Sequence, residues 1–204
     1  MRGRTGPNRF LRWLNKLVCR HWHRLASKSI ELPNGPLILI GNHRCGLDPL
    51  LVQASVDRPL CFLMDRDYYH GMLGFKWFFR AVGAIPVSPG GANRHALREA
   101  EAVLRAGGVL CIFPEGGANP TIPLKRIFPG AARLALETAA PLLPFRITGV
   151  WPFDHVHIWT GLLKRSRASV AFGHPLHLEA SHGDEKVNIR AGTKQVKEAL
   201  HALR

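Results

Sequence analysis

The segment Gly41-Asn-His-Arg-Cys-Gly-Leu-Asp-Pro49 holds the pairing with most chemical promise: an imidazole and a carboxylate five positions apart, directly after an apolar run. An aspartate bonded to one ring nitrogen of a histidine fixes its tautomer and leaves the other nitrogen as a general base. On a helix His43 and Asp48 would diverge by roughly 140°. Their side chains meet only if the segment is a loop, folded back at Gly46. Asp48-Pro49 also reads as a helix start, with Asp48 at the N-cap and Pro49 in the first helical position. The two readings are compatible, because a carboxylate can accept from both a backbone N–H and an imidazole N–H. A second cluster, Phe113-Pro-Glu-Gly-Gly117, places Glu115 after another apolar run with two glycines behind it. That suits a tight turn where backbone approaches a ligand closely; the plainer reading is a solvated loop carboxylate. His155 and His157 have the spacing of a metal pair, but no third ligand accompanies them, so neither metal nor cofactor is expected.

These residues need a scaffold, and the sequence alternates short apolar runs with amphipathic stretches. Strands are expected over 37–40, 60–64, 84–87, 109–113, 142–147, 156–159 and 169–172. Helices are expected over 49–55, 93–106, 130–139 and 186–203, with an aromatic segment at 70–82. The pattern predicts an α/β fold: a single domain whose central, mostly parallel sheet is flanked by helices. His43 and Glu115 would then both follow strands at the C-terminal edge, where open α/β sheets usually keep their sites.

With 204 residues and 46% apolar content, the chain can form one compact domain with a full core. The 28 Lys+Arg outnumber the 14 Asp+Glu, and eight of the basic residues precede Glu31, the first acid. Residues 9–28 place Phe10, Trp13, Leu14, Leu17 and Val18 at helical spacing, with Arg9, Arg12, Lys16 and Arg20 largely around the other side. Such a basic amphipathic helix lies in a membrane interface or packs on its domain as an ordinary surface helix. We divide the chain into an N-terminal membrane-interface helix, 1–32, and an α/β domain, 33–204. The concentrated charge points to an anionic surface, either headgroups or nucleic acid. No nucleic-acid motif accompanies it, so nucleic acid is not the expected partner. Cys19, Cys45, Cys61 and Cys111 form no C-x-x-C pair and read as reduced, buried thiols. No apolar run reaches 18 residues, and charges interrupt the N-terminal apolar residues, so neither a lone spanning helix nor a signal peptide is expected.

From about Leu37 to Gly149 the chain resembles the glycerolipid acyltransferases typified by the bacterial lysophosphatidic acid acyltransferase. The resemblance rests on N-H-x-x-x-x-D ending at Asp48 and F-P-E-G opening at Phe113. Gly83-Ala-Ile-Pro-Val87 and Ala140-Pro-Leu-Leu-Pro144 stand where the family has its second and fourth motifs. It implies transfer of a fatty acyl group from acyl-CoA or acyl-carrier protein to the hydroxyl of a lysolipid acceptor, without a metal, by a peripheral enzyme. The expected place is the cytoplasmic face of the cell membrane, on an anionic surface. His43 and Asp48 would be catalytic, and Asn42, Glu115 and Gly116 would contact substrate. In many relatives an Arg follows the second motif, Thr-Arg follows the third, and a Phe-Lys-x-Gly segment comes after; here those stretches read Ser88-Pro-Gly-Gly91, Gly117-Ala-Asn119 and Ile127-Phe-Pro-Gly130. The expected phosphate-binding cations are therefore Arg94, Lys125 and Arg126, from shifted positions. If they do not serve, the acceptor is another lysolipid or a non-phosphate hydroxylated lipid. Two other classes stay open: a catalytically silent lipid- or nucleic-acid-binding relative, and a hydrolase using Cys45 as nucleophile.

Overall fold

The computed structural model describes residues 6–71, 74, 76–88, 94–118, 124, 126–150, 163–181 and 183–203. A six-stranded sheet runs in the order β3-β2-β4-β1-β5-β6. Its strands are β1 (Leu37–Gly41), β2 (Leu60–Asp65), β3 (Ala84–Val87), β4 (Val109–Ile112), β5 (Leu142–Thr148) and β6 (Ser169–Phe172). Neighbouring strands from β3 through β5 pair in parallel, and β6 joins β5 antiparallel. The expected mostly parallel α/β sheet is the one observed. The strand expected over 156–159 lies outside the described residues.

The pleat sorts the apolar runs. Leu37 and Leu39 point to one face of β1, Ile38 and Ile40 to the other, as period-two alternation requires. Because both faces are covered, the run reads as continuously apolar rather than alternating. On one face, α5 (Arg94–Arg105), α6 (Gly130–Thr138) and α7 (Glu185–Ala202) close the core with small residues. Ala96, Ala100, Ala131, Ala132 and Ala135 are all buried there. On the other face lie α1 (Arg9–His21) and α2 (Asp48–Ala54), while α3 (Arg66–Gly71) and α4 (Lys76–Ala81) flank β2 and β3. Pro86 sits on edge strand β3, where a missing N–H is tolerated.

α1 is shorter than the periodicity suggested. It starts at Asn8, whose side chain accepts from the Leu11 N–H at 2.9 Å, and it ends at His21 rather than continuing to residue 28. The chain turns inward at Arg24, which is left-handed (φ 47°). Backbone bonds from Ala168 N to His23 O and from Ala26 N to Ala168 O hold the turn. Cys19, Leu25 and Leu32 then pack into the same core as Leu39, Leu51 and Phe145. The Asn15 amide donates to Leu50 O at 2.8 Å, and the Arg12 guanidinium donates to Asp57 O, so α1 runs antiparallel along α2.

Candidate active site

β1 delivers the chain to the C-terminal edge of the sheet, and residues 42–47 turn back before α2 begins. Asn42 is buried and spends its side chain on β5: Oδ1 accepts from Ile147 N at 2.7 Å and Nδ2 donates to Ile147 O at 3.0 Å. It thereby continues the β1–β5 ladder past Gly41 with a side chain instead of a backbone. The next residue, His43, is consequently presented at a fixed height above the sheet.

Asp48 is fully buried, and its Oδ2 is the hub of the loop. It accepts from His43 Nδ1 at 2.8 Å, from Cys45 N at 2.9 Å and from Arg44 N. The Cys45 thiol donates to Oδ1 at 3.6 Å. A buried carboxylate is costly unless so satisfied. The helix-cap reading of Asp48 is thus corrected. Leu47 is the N-cap residue and makes no side-chain cap bond; Asp48 is already the first helical residue, and its oxygens turn back to the preceding loop. A carboxylate at Nδ1 leaves Nε2 as the nitrogen open to a reacting group. The ring stacks on Phe113, with centroids 4.4 Å apart and planes 20° apart. Phe113 in turn meets Phe145 edge-on.

Glu115 comes from the loop after β4 and joins two distant stretches. Its Oε1 accepts from His43 N at 2.9 Å, and its Oε2 accepts from Leu124 N at 2.7 Å. Burial raises its pKa above 4.5, an effect opposed by those two amides. Gly116 is left-handed (φ 73°), and a side chain there would run into the Phe128 ring, so the turn needs glycine on both counts. The spacing of F-P-E-G signalled the turn; nothing in the sequence signalled that its carboxylate would bind the histidine's own backbone.

The remaining candidates are dispersed. Arg94 is exposed at the start of α5 and is not on the cavity described below. Arg126 stacks its guanidinium over Phe128, 4.4 Å from the ring centroid. Lys125, His155 and His157 lie outside the described residues. Cys45 is buried, and desolvation together with the Asp48 charge pushes its thiol well up, away from a nucleophilic thiolate. Among the described residues no group of His, Cys, Asp and Glu is arranged to hold a metal ion.

His43 opens onto a cavity of about 990 Å³. Its walls are mainly apolar: Leu14 and Val18 of α1, Leu50 of α2, Phe62 of β2, and Phe78 and Phe79 of α4. One cation that motif reasoning missed, Arg133 of α6, also lines it; its Nε donates to Glu137 at 2.7 Å. It carries no motif signal, only a place in the first turns of a helix.

Fold and site together define a mostly parallel α/β chain with a histidine–aspartate loop at the C-terminal edge, over an apolar groove. Residues 23–148, more than half of the chain, match the family model described as Acyltransferase, and the chain belongs to that acyltransferase family. It is 24% identical over 129 residues to a probable 1-acyl-sn-glycerol-3-phosphate acyltransferase of Mycoplasma pneumoniae, covering 58% of this chain and 47% of that protein. It is 26% identical over 151 residues to the 1-acyl-sn-glycerol-3-phosphate acyltransferase of Borreliella burgdorferi, covering 64% and 58%. The chain thus spans about half the length of the curated relatives it matches. In fold it is similar to the crystal structure of the 1-acyl-sn-glycerophosphate (LPA) acyltransferase PlsC from Thermotoga maritima. The TM-score is 0.62 at 20% identity, over 95% of this chain and 79% of that one.

Proposed function

We propose that the chain is a peripheral membrane O-acyltransferase. It transfers a fatty acyl group from acyl-CoA or acyl-carrier protein to the hydroxyl of a lysophospholipid of the 1-acylglycerol-3-phosphate type. The observation that carries the reading is the 2.8 Å bond between His43 Nδ1 and Asp48 Oδ2 at the mouth of an apolar groove. His43 Nε2 takes the acceptor's hydroxyl proton as its oxygen attacks the thioester carbonyl. The tetrahedral adduct collapses, the C–S bond breaks, and the imidazolium returns the proton to the leaving thiolate. Asp48 stabilises the transient imidazolium, and general-base help of this kind is typically worth about 10²–10⁴ in rate. The cycle as written needs neither a metal nor an acyl-enzyme.

The apolar groove suits an acyl chain, and Arg133 on its wall suits an acceptor phosphate. Membrane-surface action is supported by α1. Phe10 and Trp13 are 65% and 59% exposed beside Arg9, Lys16 and Arg20, and Trp77 of α4, next in sequence to the groove-lining Phe78, is 68% exposed. Tryptophan and basic side chains on one helix suit the headgroup region of an anionic bilayer. Among the described residues no helix is long and apolar enough to cross a membrane. We place the enzyme at the cytoplasmic face, where its thioester donors are made.

The test uses anionic phosphatidylglycerol vesicles containing 1-acylglycerol-3-phosphate, with labelled acyl-CoA or acyl-carrier protein as donor. Wild type should sediment with the vesicles and form labelled diacyl product. His43→Ala should sediment equally, still unfold in one cooperative transition, and lose at least about a hundredfold in kcat. Transfer by His43→Ala at the wild-type rate would remove the general-base assignment.

A further inference from the structure

Two stretches of the sequence carry cations and no acid: residues 1–30, and residues 155–178, which hold Lys164, Arg165 and Arg167. Folding brings them together where α1 ends. Ala168 N donates to His23 O at 3.3 Å, and Ala26 N donates to Ala168 O at 3.0 Å. The Arg165 guanidinium lies over Trp22, 4.6 Å from the ring centroid. Arg24, Lys164, Arg165 and Arg167 are all exposed around this junction, and Leu163 beside them is 76% exposed. The junction stands at the C-terminal edge of β5, on the same side of the sheet edge as the His43 loop. Asn42 bonds Ile147, Ile147 pairs with Val170, and Arg167 lies just before the start of β6. Two strand spacings of ~4.8 Å and about three residues of chain put Arg167 roughly 15 Å from His43.

We propose that Arg24, Lys164, Arg165 and Arg167 form a docking surface for the acidic face of an acyl-carrier protein, which makes the carrier-bound thioester the preferred donor. The proposal rests on the acyl-transfer reading and chooses between its two donors. The distances match. A phosphopantetheine arm has about thirteen bonds from sulfur to phosphorus, and at the ~1.2 Å per bond of an extended chain it spans roughly 16 Å. A carrier seated on these cations therefore delivers its thioester to His43. The shape of the surface favours a protein over the nucleotide of acyl-CoA. None of the four cations lines the cavity, whereas small ligands take concave pockets and open, charged surfaces recruit complementary proteins. A tryptophan among arginines also has the composition of a protein-binding hot spot. Headgroups are better served at the other end of α1, where Phe10 and Trp13 stand. A rise of ~1.5 Å per residue separates Phe10 from Trp22 by roughly 18 Å.

The experiment compares palmitoyl-acyl-carrier protein with palmitoyl-CoA as donors to one lysolipid in anionic vesicles. Wild type is set beside the double reversal Arg165→Glu with Arg167→Glu, and beside Arg167→Gln, which keeps the Arg165–Trp22 contact should the double variant fold poorly. The double variant should lose at least about tenfold in kcat/KM with the carrier-bound donor, mostly through KM, and stay within about twofold of wild type with palmitoyl-CoA. Arg167→Gln should show the same selectivity at about threefold. Raising salt should slow the carrier-bound reaction of wild type more than the CoA reaction, and should narrow its gap to the variants. Sedimentation with vesicles should not change. Equal losses with both donors, no loss with either, or a loss of sedimentation that accounts for the lost rate would each overturn the docking surface. Binding of fluorescently labelled carrier protein, without lysolipid, is read in parallel and needs no turnover. Wild type that binds the carrier through these arginines yet transfers from neither donor would overturn the acyl-transfer reading and leave the docking surface standing.

Discussion

Two carboxylates hold the candidate site, and they do so by opposite means. Asp48 collects His43, Arg44 and Cys45, all within five residues of itself. Glu115 collects His43 from 72 residues away and Leu124 from nine residues ahead. The first makes a loop; the second ties loops together. Asp48 therefore controls both the ring's tautomer and the local backbone. Glu115 controls where the finished loop stands relative to the β4 turn and the Leu124 stretch. Substitutions at the two positions should separate orientation of the base from placement of the loop.

The largest effect should fall at Asp48. Asp48→Asn keeps the shape and one acceptor but removes the charge that stabilises the imidazolium. A loss in kcat of the same order as that for His43→Ala, about 10²–10⁴, is expected. Asp48→Ala should lose as much and also unfold more easily. Two backbone donors would then be left facing no acceptor, at about 1–3 kcal/mol each. Thermal melts of both variants against kcat in the vesicle assay separate the two terms. Equal stability of Asp48→Ala and Asp48→Asn would mean that the aspartate does not build the loop.

Glu115→Gln should cost less. One oxygen still accepts, while the new NH₂ meets a backbone N–H that had an acceptor. If Glu115 braces the His43 loop, kcat falls by about tenfold to a hundredfold, the melting temperature drops, and the KM for acceptor changes little. If it held the acceptor instead, KM for lysolipid would rise with kcat preserved. Initial-rate kinetics across acceptor concentration distinguish the outcomes.

The same contrast explains what the sequence could reveal. The His43–Asp48 pair was readable because its partners are neighbours, and a five-residue gap leaves few ways for two side chains to meet. The alternation of apolar runs with amphipathic helices was readable because burial on both sheet faces demands it. The helix cap at Asp48 was misassigned for a related reason: Asp-Pro is a good helix start, but three donors upstream outcompete one helical N–H for the same oxygens. The role of Glu115, the ladder made by Asn42 with Ile147 and the place of Arg133 all depend on residues brought together by folding. So does the end of α1. The apolar periodicity continues past His21, yet the backbone bonds between 23–26 and Ala168 draw the chain inward there.

A third buried polar group completes the comparison by being only half satisfied. His23 is fully buried, its Nδ1 lies 3.3 Å from Ser166 Oγ, and its Nε2 has no hydrogen-bond partner among the described residues. Burial lowers its pKa below the ordinary 6.5. As pH falls through 6.5, the unfolded chain takes up a proton that the folded chain refuses, so the unfolded state is favoured. Stability contributed by neutral His23 is therefore complete above 6.5 and declines on acidification, until the folded-state pKa is passed. His23→Phe should flatten that part of the stability–pH curve while leaving acyl transfer at neutral pH intact, since the residue lies at the turn between α1 and the body and not on the groove. Urea melts at intervals from pH 7.5 downward would show the effect as a smaller loss of midpoint in the variant than in wild type. Parallel curves would mean that Ser166 and the surrounding backbone accommodate the imidazolium, and that the buried nitrogen, unlike the two carboxylates, constrains nothing.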